Sequence, residues 1–282
     1  MGSGYAFDTR QTEQADQVGQ GGQDSVVPRP HFAGKAEAAP PSATSDTHVH
    51  AMQLSVVIPV YNEAATVAQV IQRVREQALV SEVIVVDDAS TDDTSQILSE
   101  FESSGQIRLV RQPVNRGKGA ALREGFARVN GDVMIIQDAD LEYDPAEYPR
   151  LLAPIERGEA DVVYGSRFSP AREYGPADSL LHAGGNRLLT MFSNWTTGLR
   201  LTDMETCYKA LRREVIEQVL PTLREDRFGV EPELTAKIAR RGYRVAEVGI
   251  GYKGRSYKAG KKIGVGDGFR AIWCILRYAF WD

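Results

Sequence analysis

Asp138-Ala139-Asp140 closes the apolar run "VMIIQ" in a chain of 282 residues. Two carboxylates two residues apart, at the end of a buried strand, can hold one hard divalent cation and the diphosphate it bridges. Glu142 is a candidate third ligand on the same side by strand alternation. A bare acidic triplet is also what a solvated turn looks like; the apolar strand directly before it favours metal binding, with Mg2+ or Mn2+ as the cofactor. Beyond residue 51 the only histidine is His182 and there is no Cys/His cluster, so the donor set does not suit zinc. His182 reads as structural.

A second acid pair, Asp87-Asp88, closes "EVIVVDD". An acid there can bind a ribose hydroxyl or a base N–H. It can equally cap the helix expected from Thr91 onward. The strand-to-helix turn before it reads Pro59-Val60-Tyr61-Asn62-Glu63. It has no GxGxxG, which excludes the dinucleotide fingerprint, and lacks the glycine-rich, lysine-bearing loop of a sugar nucleotidyltransferase. Lys253 to Lys262 form a basic stretch, suited either to phosphate oxygens or to solvent.

The elements that must carry these residues follow from hydrophobic patterning. "LSVVIPV", "EVIVVDD", "IRLV", "DVMIIQDAD" and "ADVVYGSR" read as buried strands. Helical spacing of Val67, Val70, Ile71 and Val74, then of Ile97, Leu98 and Phe101, then of Leu122 and Phe126 fills the gaps. Such alternation predicts an α/β fold, a mostly parallel central sheet with helices on both faces. In such sheets ligands bind at the carboxyl ends of the strands, where all three polar clusters fall. After about residue 170 the pattern shifts to a long helix over Leu180 to Trp195, a helix near "EPELTAKIAR" and a strand in "YRVAEVGIGY".

Residues 1–51 have no apolar periodicity and read as a disordered tail. Residues 52–282 read as one domain, with a nucleotide-binding half over 52–170 and an acceptor-side half over 171–282. The latter ends in an amphipathic helix. Phe269, Ile272, Trp273, Leu276 and Phe280 form one stripe on it, expected to pack on the sheet. Ile275, Tyr278 and Trp281, beside Arg270 and Arg277, suit a headgroup interface.

The formal net charge of -5 gives no reason to expect nucleic acid. Cys207 and Cys274 form no disulfide framework. No apolar run is long enough to span a bilayer, and the N-terminus lacks the regions of a signal peptide. A cytoplasmic chain able to touch a membrane surface is the expectation.

The chain resembles the family 2 glycosyltransferases, most nearly the dolichol- or polyprenyl-phosphate sugar synthases of GT-A fold. The likeness runs from about Leu54 to the end. It rests on "VVIPVYNEAATV", "VIVVDDASTDDT", "NRGKGAALREGF", "DVMIIQDADLEYDP", "VVYGSRF", "DMETCYKAL", "RFGVEPELTAKIARRGYRV" and "GRSYKAGKKI" in that order. The resemblance implies a nucleotide-diphosphate sugar donor held by Pro59, Tyr61, Glu63, Asp87, Asp88, Lys118, Asp138 and Ala139. It implies metal and diphosphate at Asp138, Asp140 and Glu142, and Arg167 facing phosphates or acceptor. Arg255, Lys258, Lys261 and Lys262 would close a basic loop over the site. Displacing a nucleoside diphosphate builds charge on the leaving oxygen, which cations stabilise.

The leading expectation is an inverting transferase acting on a polyprenyl phosphate. That nucleophile is already an anion, so it needs cations more than a base. It also implies a bilayer contact, through the last helix, the basic stretch or a separate membrane subunit. A transferase acting on a saccharide or other hydroxyl would instead need a base, with Asp203 or Glu205 as candidates; the same acids could orient Arg or Lys side chains. A non-catalytic nucleotide-binding subunit is disfavoured because Asp138 and Asp140 are both present.

Overall fold

The apolar runs become the strands of one seven-stranded sheet. In the computed structural model, residues 52–168, 180–254 and 265–281 are described. The proposed tail at 1–51 and the basic residues Arg255, Lys258, Lys261 and Lys262 lie outside the described residues. Strands β1 (Leu54–Val60), β2 (Val80–Asp87), β3 (Arg108–Arg111), β4 (Val133–Ile136), β5 (Val162–Ser166), β6 (Lys209–Arg212) and β7 (Val245–Gly249) lie in the order β3-β2-β1-β4-β6-β5-β7. Val57 sits between Ile84 of β2 and Ile136 of β4, all three wholly buried. Continuous apolar runs are what parallel strands covered on both faces require.

Helices α1 (Val67–Arg75), α2 (Thr94–Ser103), α3 (Lys118–Phe126) and α4 (Tyr148–Glu156) provide the crossovers of the first half. Helix α1 buries Val67, Val70, Ile71 and Val74, the residues its 3.6-residue period selects. Helices α5 (Leu180–Thr197), α6 (Arg213–Val219), α7 (Val230–Arg240) and α8 (Val265–Phe280) complete the chain. The expected mostly parallel α/β sheet is present.

One strand breaks the parallel order. β6 runs antiparallel to both β4 and β5. It therefore enters the sheet from the edge where its parallel neighbours end. That direction carries the preceding segment, Asp203 to Cys207, to the carboxyl ends of β1, β2, β4 and β5.

Helix α8 packs through a different face from the expected stripe. Ala271, Cys274, Ile275 and Tyr278 are buried, whereas Trp273 and Phe280 are exposed. The reason is polar as well as apolar. Tyr278 Oη donates to Glu225 at 3.0 Å and Arg270 pairs with Glu225 at 2.8 Å, which fixes the helix rotation. Gly229 supplies the close approach, since a Cβ there would lie 2.6 Å from Cys274 Sγ.

Candidate active site

Three turns meet at the carboxyl edge of the sheet, and each contains a left-handed residue that is not glycine. Asn62 (φ 52°) follows β1, Ala89 (φ 59°) follows β2 and Leu141 (φ 61°) follows β4. This conformation is costly without glycine and persists where its surroundings enforce it, commonly at functional sites. Asn62 is held by Thr91, whose backbone N–H donates to Asn62 Oδ1 at 2.7 Å; Asn62 N–H donates to Ser90 Oγ at 3.0 Å. Glu63 and Ala139 share one hydroxyl, because Thr66 donates to Glu63 Oε2 at 3.0 Å and to Ala139 O at 2.7 Å. The first turn is thereby tied to the acidic triplet. Pro59 pairs with Val86 inside the sheet, and Tyr61 begins the same turn.

The two acids ending β2 both carry backbone contacts. Asp87 accepts from Ser90 N–H at 2.9 Å and from the Ser95 hydroxyl. Asp88 takes two amides of the loop before α3, Arg116 N–H at 2.8 Å and Gly117 N–H at 2.7 Å. That loop approaches residues 225–227 closely. Gly117 is left-handed at φ 103°, and a Cβ on Gly119 would lie 2.2 Å from Glu225 O. The glycines of "NRGKG" therefore let the loop present Lys118 at the first position of α3.

Lys118 pairs with Asp138 at 2.9 Å and with Glu231 at 3.2 Å. Glu231 in turn pairs with the wholly buried Lys209. Burial opposes the charge on Lys118, but Asp138, then Cys207 and Glu231, outweigh it and hold the amine well above its usual range. Asp138 is likewise kept ionised: burial acts against it and Lys118 overrides that. Asp140 turns the chain at Leu141 by accepting from Glu142 N–H at 3.2 Å.

Arg167, directly after β5, is clamped by Asp203 through three bonds. Nε donates to Oδ2 at 2.7 Å, Nη2 to Oδ1 at 2.9 Å and the backbone N–H to Oδ2 at 3.0 Å. Both Asp203 oxygens are thus occupied in orienting a guanidinium, a fixed two-pronged geometry matched to oxyanions. The guanidinium lies 5.2 Å from the ring centroid of Tyr252, whose hydroxyl donates to Glu142 at 2.6 Å. Tyr143 Oη accepts from Cys207 N–H at 3.1 Å, and its ring lies 5.2 Å from that of Tyr252, the ring beside the Arg167 guanidinium.

Residues 55–220 match the model of a family described as glycosyl transferase family 2. The chain belongs to glycosyl transferase family 2. The family 2 domain is 31% identical over 174 residues to an undecaprenyl-phosphate 4-deoxy-4-formamido-L-arabinose transferase of Salmonella choleraesuis. The match covers 60% of this chain and 51% of that protein. A protein of the same description from Klebsiella pneumoniae is 30% identical over 205 residues, covering 71% and 60% respectively. The chain thus spans between about half and three fifths of the curated relatives it matches. Among solved structures, the domain is similar to glucosyl-3-phosphoglycerate synthase from Mycobacterium tuberculosis in complex with Mn2+, UDP and phosphoglyceric acid. The TM-score is 0.62 with 25% identity, over 81% of this chain and 79% of that one. The fold of the family 2 domain is that of the GT-A glycosyltransferases.

Among the described residues, no three His, Cys, Asp or Glu side chains converge into a metal-binding group. Asp138 and Asp140 stand on one turn, while the Glu142 carboxylate accepts from Tyr252. Two carboxylates with a substrate diphosphate suit Mg2+ or Mn2+, which take few protein ligands and retain water and phosphate oxygens. The residues present fit that cofactor.

Sequence reasoning assigned no role to Glu231, Lys209, Tyr252 or Asn62. Glu231 and Tyr252 belong to runs read as a helix and a strand. Lys209 looks like a solvent residue by type, and only its place in a central strand buries it. Glu205, one of two candidate bases, is half-buried with its Oε1 fully enclosed and unpartnered by hydrogen bond. Burial, then the neighbouring Glu231, pushes its carboxyl up to about 7 against the pull of Lys209 and Arg167.

Proposed function

We propose that the chain transfers a sugar from a nucleoside-diphosphate donor to the phosphate of a polyprenyl phosphate, with inversion, using Mg2+ or Mn2+. The observation that carries this reading is a pair of cations held by acids at the carboxyl edge of the sheet, Lys118 by Asp138 and Arg167 by Asp203. Family membership supports the donor class. The names of the relatives support the acceptor class, and the Mn2+ and UDP bound in the structural neighbour support the cofactor and a UDP-sugar donor.

In this reading Asp138 and Asp140 would hold the cation, whose charge would offset that developing on the diphosphate. Lys118, fixed by Asp138 and Glu231, supplies a second positive charge beside the same group. Asp87 and Asp88 shape the nucleoside-side loops through the amides they hold. Tyr61, Glu63, Pro59 and the Ala139 backbone line that side. Arg167 meets acceptor phosphate oxygens and presents the anion to the anomeric carbon. The bond from that carbon to the diphosphate oxygen breaks as the bond to the acceptor oxygen forms. Asp203 is a positioning residue for Arg167. The basic stretch with Arg255, Lys258, Lys261 and Lys262 is assigned to phosphate contact on its composition and order in the sequence. The domain would work at the cytoplasmic face of a membrane.

A second reading is carried by Glu205. A carboxyl pushed up to about 7 by the burial of its Oε1 side is suited to taking a proton from a hydroxyl acceptor. One comparison decides between them: transfer from UDP-sugars to a polyprenyl phosphate against transfer to saccharide acceptors, each with and without Mn2+. Product on the prenyl phosphate that disappears on chelation is expected. Efficient glycosylation of hydroxyl acceptors alone would replace the first reading by the second.

A further inference from the structure

Helices α5 and α8 lie against each other, and both turn apolar side chains toward solvent. On α5 the exposed large residues are Leu188, Met191, Phe192 and Trp195. Their spacing is i, i+3, i+4, i+7, the apolar stripe that a helix in a soluble domain turns to its core. Among its described side chains, α5 fully buries Thr190 and Ser193 and packs Leu189 against the core, while the larger apolar stripe faces out. Helix α8 adds exposed Trp273 and Phe280, and Trp281 follows directly.

Seven of the nine exposed large hydrophobic residues among those described belong to these two helices and Trp281; Leu79 and Val114 are the other two. The chain has three tryptophans. All three stand here, with Trp195 and Trp281 73% exposed and Trp273 58% exposed. Charge on the α5 segment is one-sided: residues 180–202 contain two arginines and no carboxylate, while α8 carries Arg270, Arg277 and one carboxylate, Asp267. Arg187, Arg200 and Arg277 are exposed.

We propose that the α5–α8 face is a docking surface for an anionic lipid bilayer, with Trp195, Trp273 and Trp281 seated at headgroup depth. Tryptophan with arginine is the composition that interface favours, since one end of the ring is apolar and the other polar. Arg187, Arg200 and Arg277 would meet lipid phosphates. A second copy fits less well. A two-fold contact would set the same arginines against themselves, with no carboxylate on α5 to offset them. The surface stands on its own geometry; its purpose, reaching an acceptor held in a bilayer, rests on the proposed lipid-phosphate reading.

Because every tryptophan lies on this face, intrinsic tryptophan emission of the full chain reports on it alone. Vesicles of phosphatidylcholine with phosphatidylglycerol are expected to shift that emission to shorter wavelength. Brominated acyl chains should quench it, and high salt should weaken binding by screening. The double variant Trp195→Glu, Trp273→Glu should melt like the parent, since both side chains are exposed, yet bind vesicles more than about tenfold more weakly. Transfer to a polyprenyl phosphate embedded in vesicles should fall with it, while transfer to a short, water-soluble prenyl phosphate stays unchanged. Unaltered emission with vesicles would overturn the proposal. So would a concentration-dependent blue shift without lipid, accompanied by dimer mass in light scattering. Vesicle docking without transfer to either prenyl acceptor would uphold this surface and remove only the acceptor reading.

Discussion

Asp140 Oδ1 accepts from Glu142 N–H in the turn that follows β4. Asp140→Ala is expected to reduce transfer by at least about a hundredfold through loss of a cation ligand. Turnover near that of the parent with Mn2+ present would detach the cation from this acid. Glu205 allows a test by pH. Its folded value, about 7, lies above the ordinary 4.5. Between those two values the unfolded chain gives up the proton and the folded chain keeps it, so stability falls as pH rises through that window. Glu205→Gln should remove this fall, seen as a flatter profile of melting temperature between pH 4.5 and 7. If the acceptor is a phosphate, the same variant keeps most activity; if the acceptor is a hydroxyl, it loses nearly all of it. At this scale the sequence exposed the acids well, because type and strand-end position are both visible in one dimension. It did not expose their partners. Lys118 lies 20 residues from Asp138 and Glu231 a further 93, so their ion pairs exist only once the sheet is assembled.

Among the elements, α3 and α5 carry glycines that serve opposite ends. A methyl on Gly119 would stand 2.2 Å from Glu225 O, a backbone atom that cannot swing aside. Gly119→Ala should cost roughly 1–3 kcal/mol or more in urea unfolding and loosen the loop that presents Lys118. Gly184, in α5, has nothing within 4 Å of an added methyl. Gly184→Ala should instead stabilise by up to about 1 kcal/mol, from helix propensity alone. Equal effects at the two positions would contradict the packing described. Strands and helices of the first half were legible because each buries a periodic apolar run. The face of α8 was not. Trp273 and Phe280 of its apolar stripe are exposed, and burial follows Cys274 and Tyr278, selected by Gly229 and Glu225 far away in sequence. Periodicity locates a helix; it does not say which of two apolar faces meets the core.

At the scale of the whole molecule, a division at residue 170 follows the change in sequence pattern, but the sheet does not divide there. β6, from the second half, is inserted between β4 and β5 and hydrogen-bonded to both. Without it the sheet separates into β3-β2-β1-β4 and β5-β7. β6 was hidden because "KALR" is four residues long and starts with a lysine, which reads as surface until Glu231 pairs with it. The buried run Asp138–Lys118–Glu231–Lys209 joins the same two halves electrostatically. Removing the second half would break one of these pairs, Lys118–Glu231, at about 3–5 kcal/mol for a buried pair, and would expose the β4 edge to other chains. A fragment of residues 52–170 is therefore expected to lack cooperative unfolding and to aggregate, although it carries Asp138, Asp140 and Lys118. Residues 52–282 should melt in one transition. Calorimetry of both would test this, and a sharp, reversible transition for the fragment would show that the nucleotide-side strands are stable without the strand that closes them.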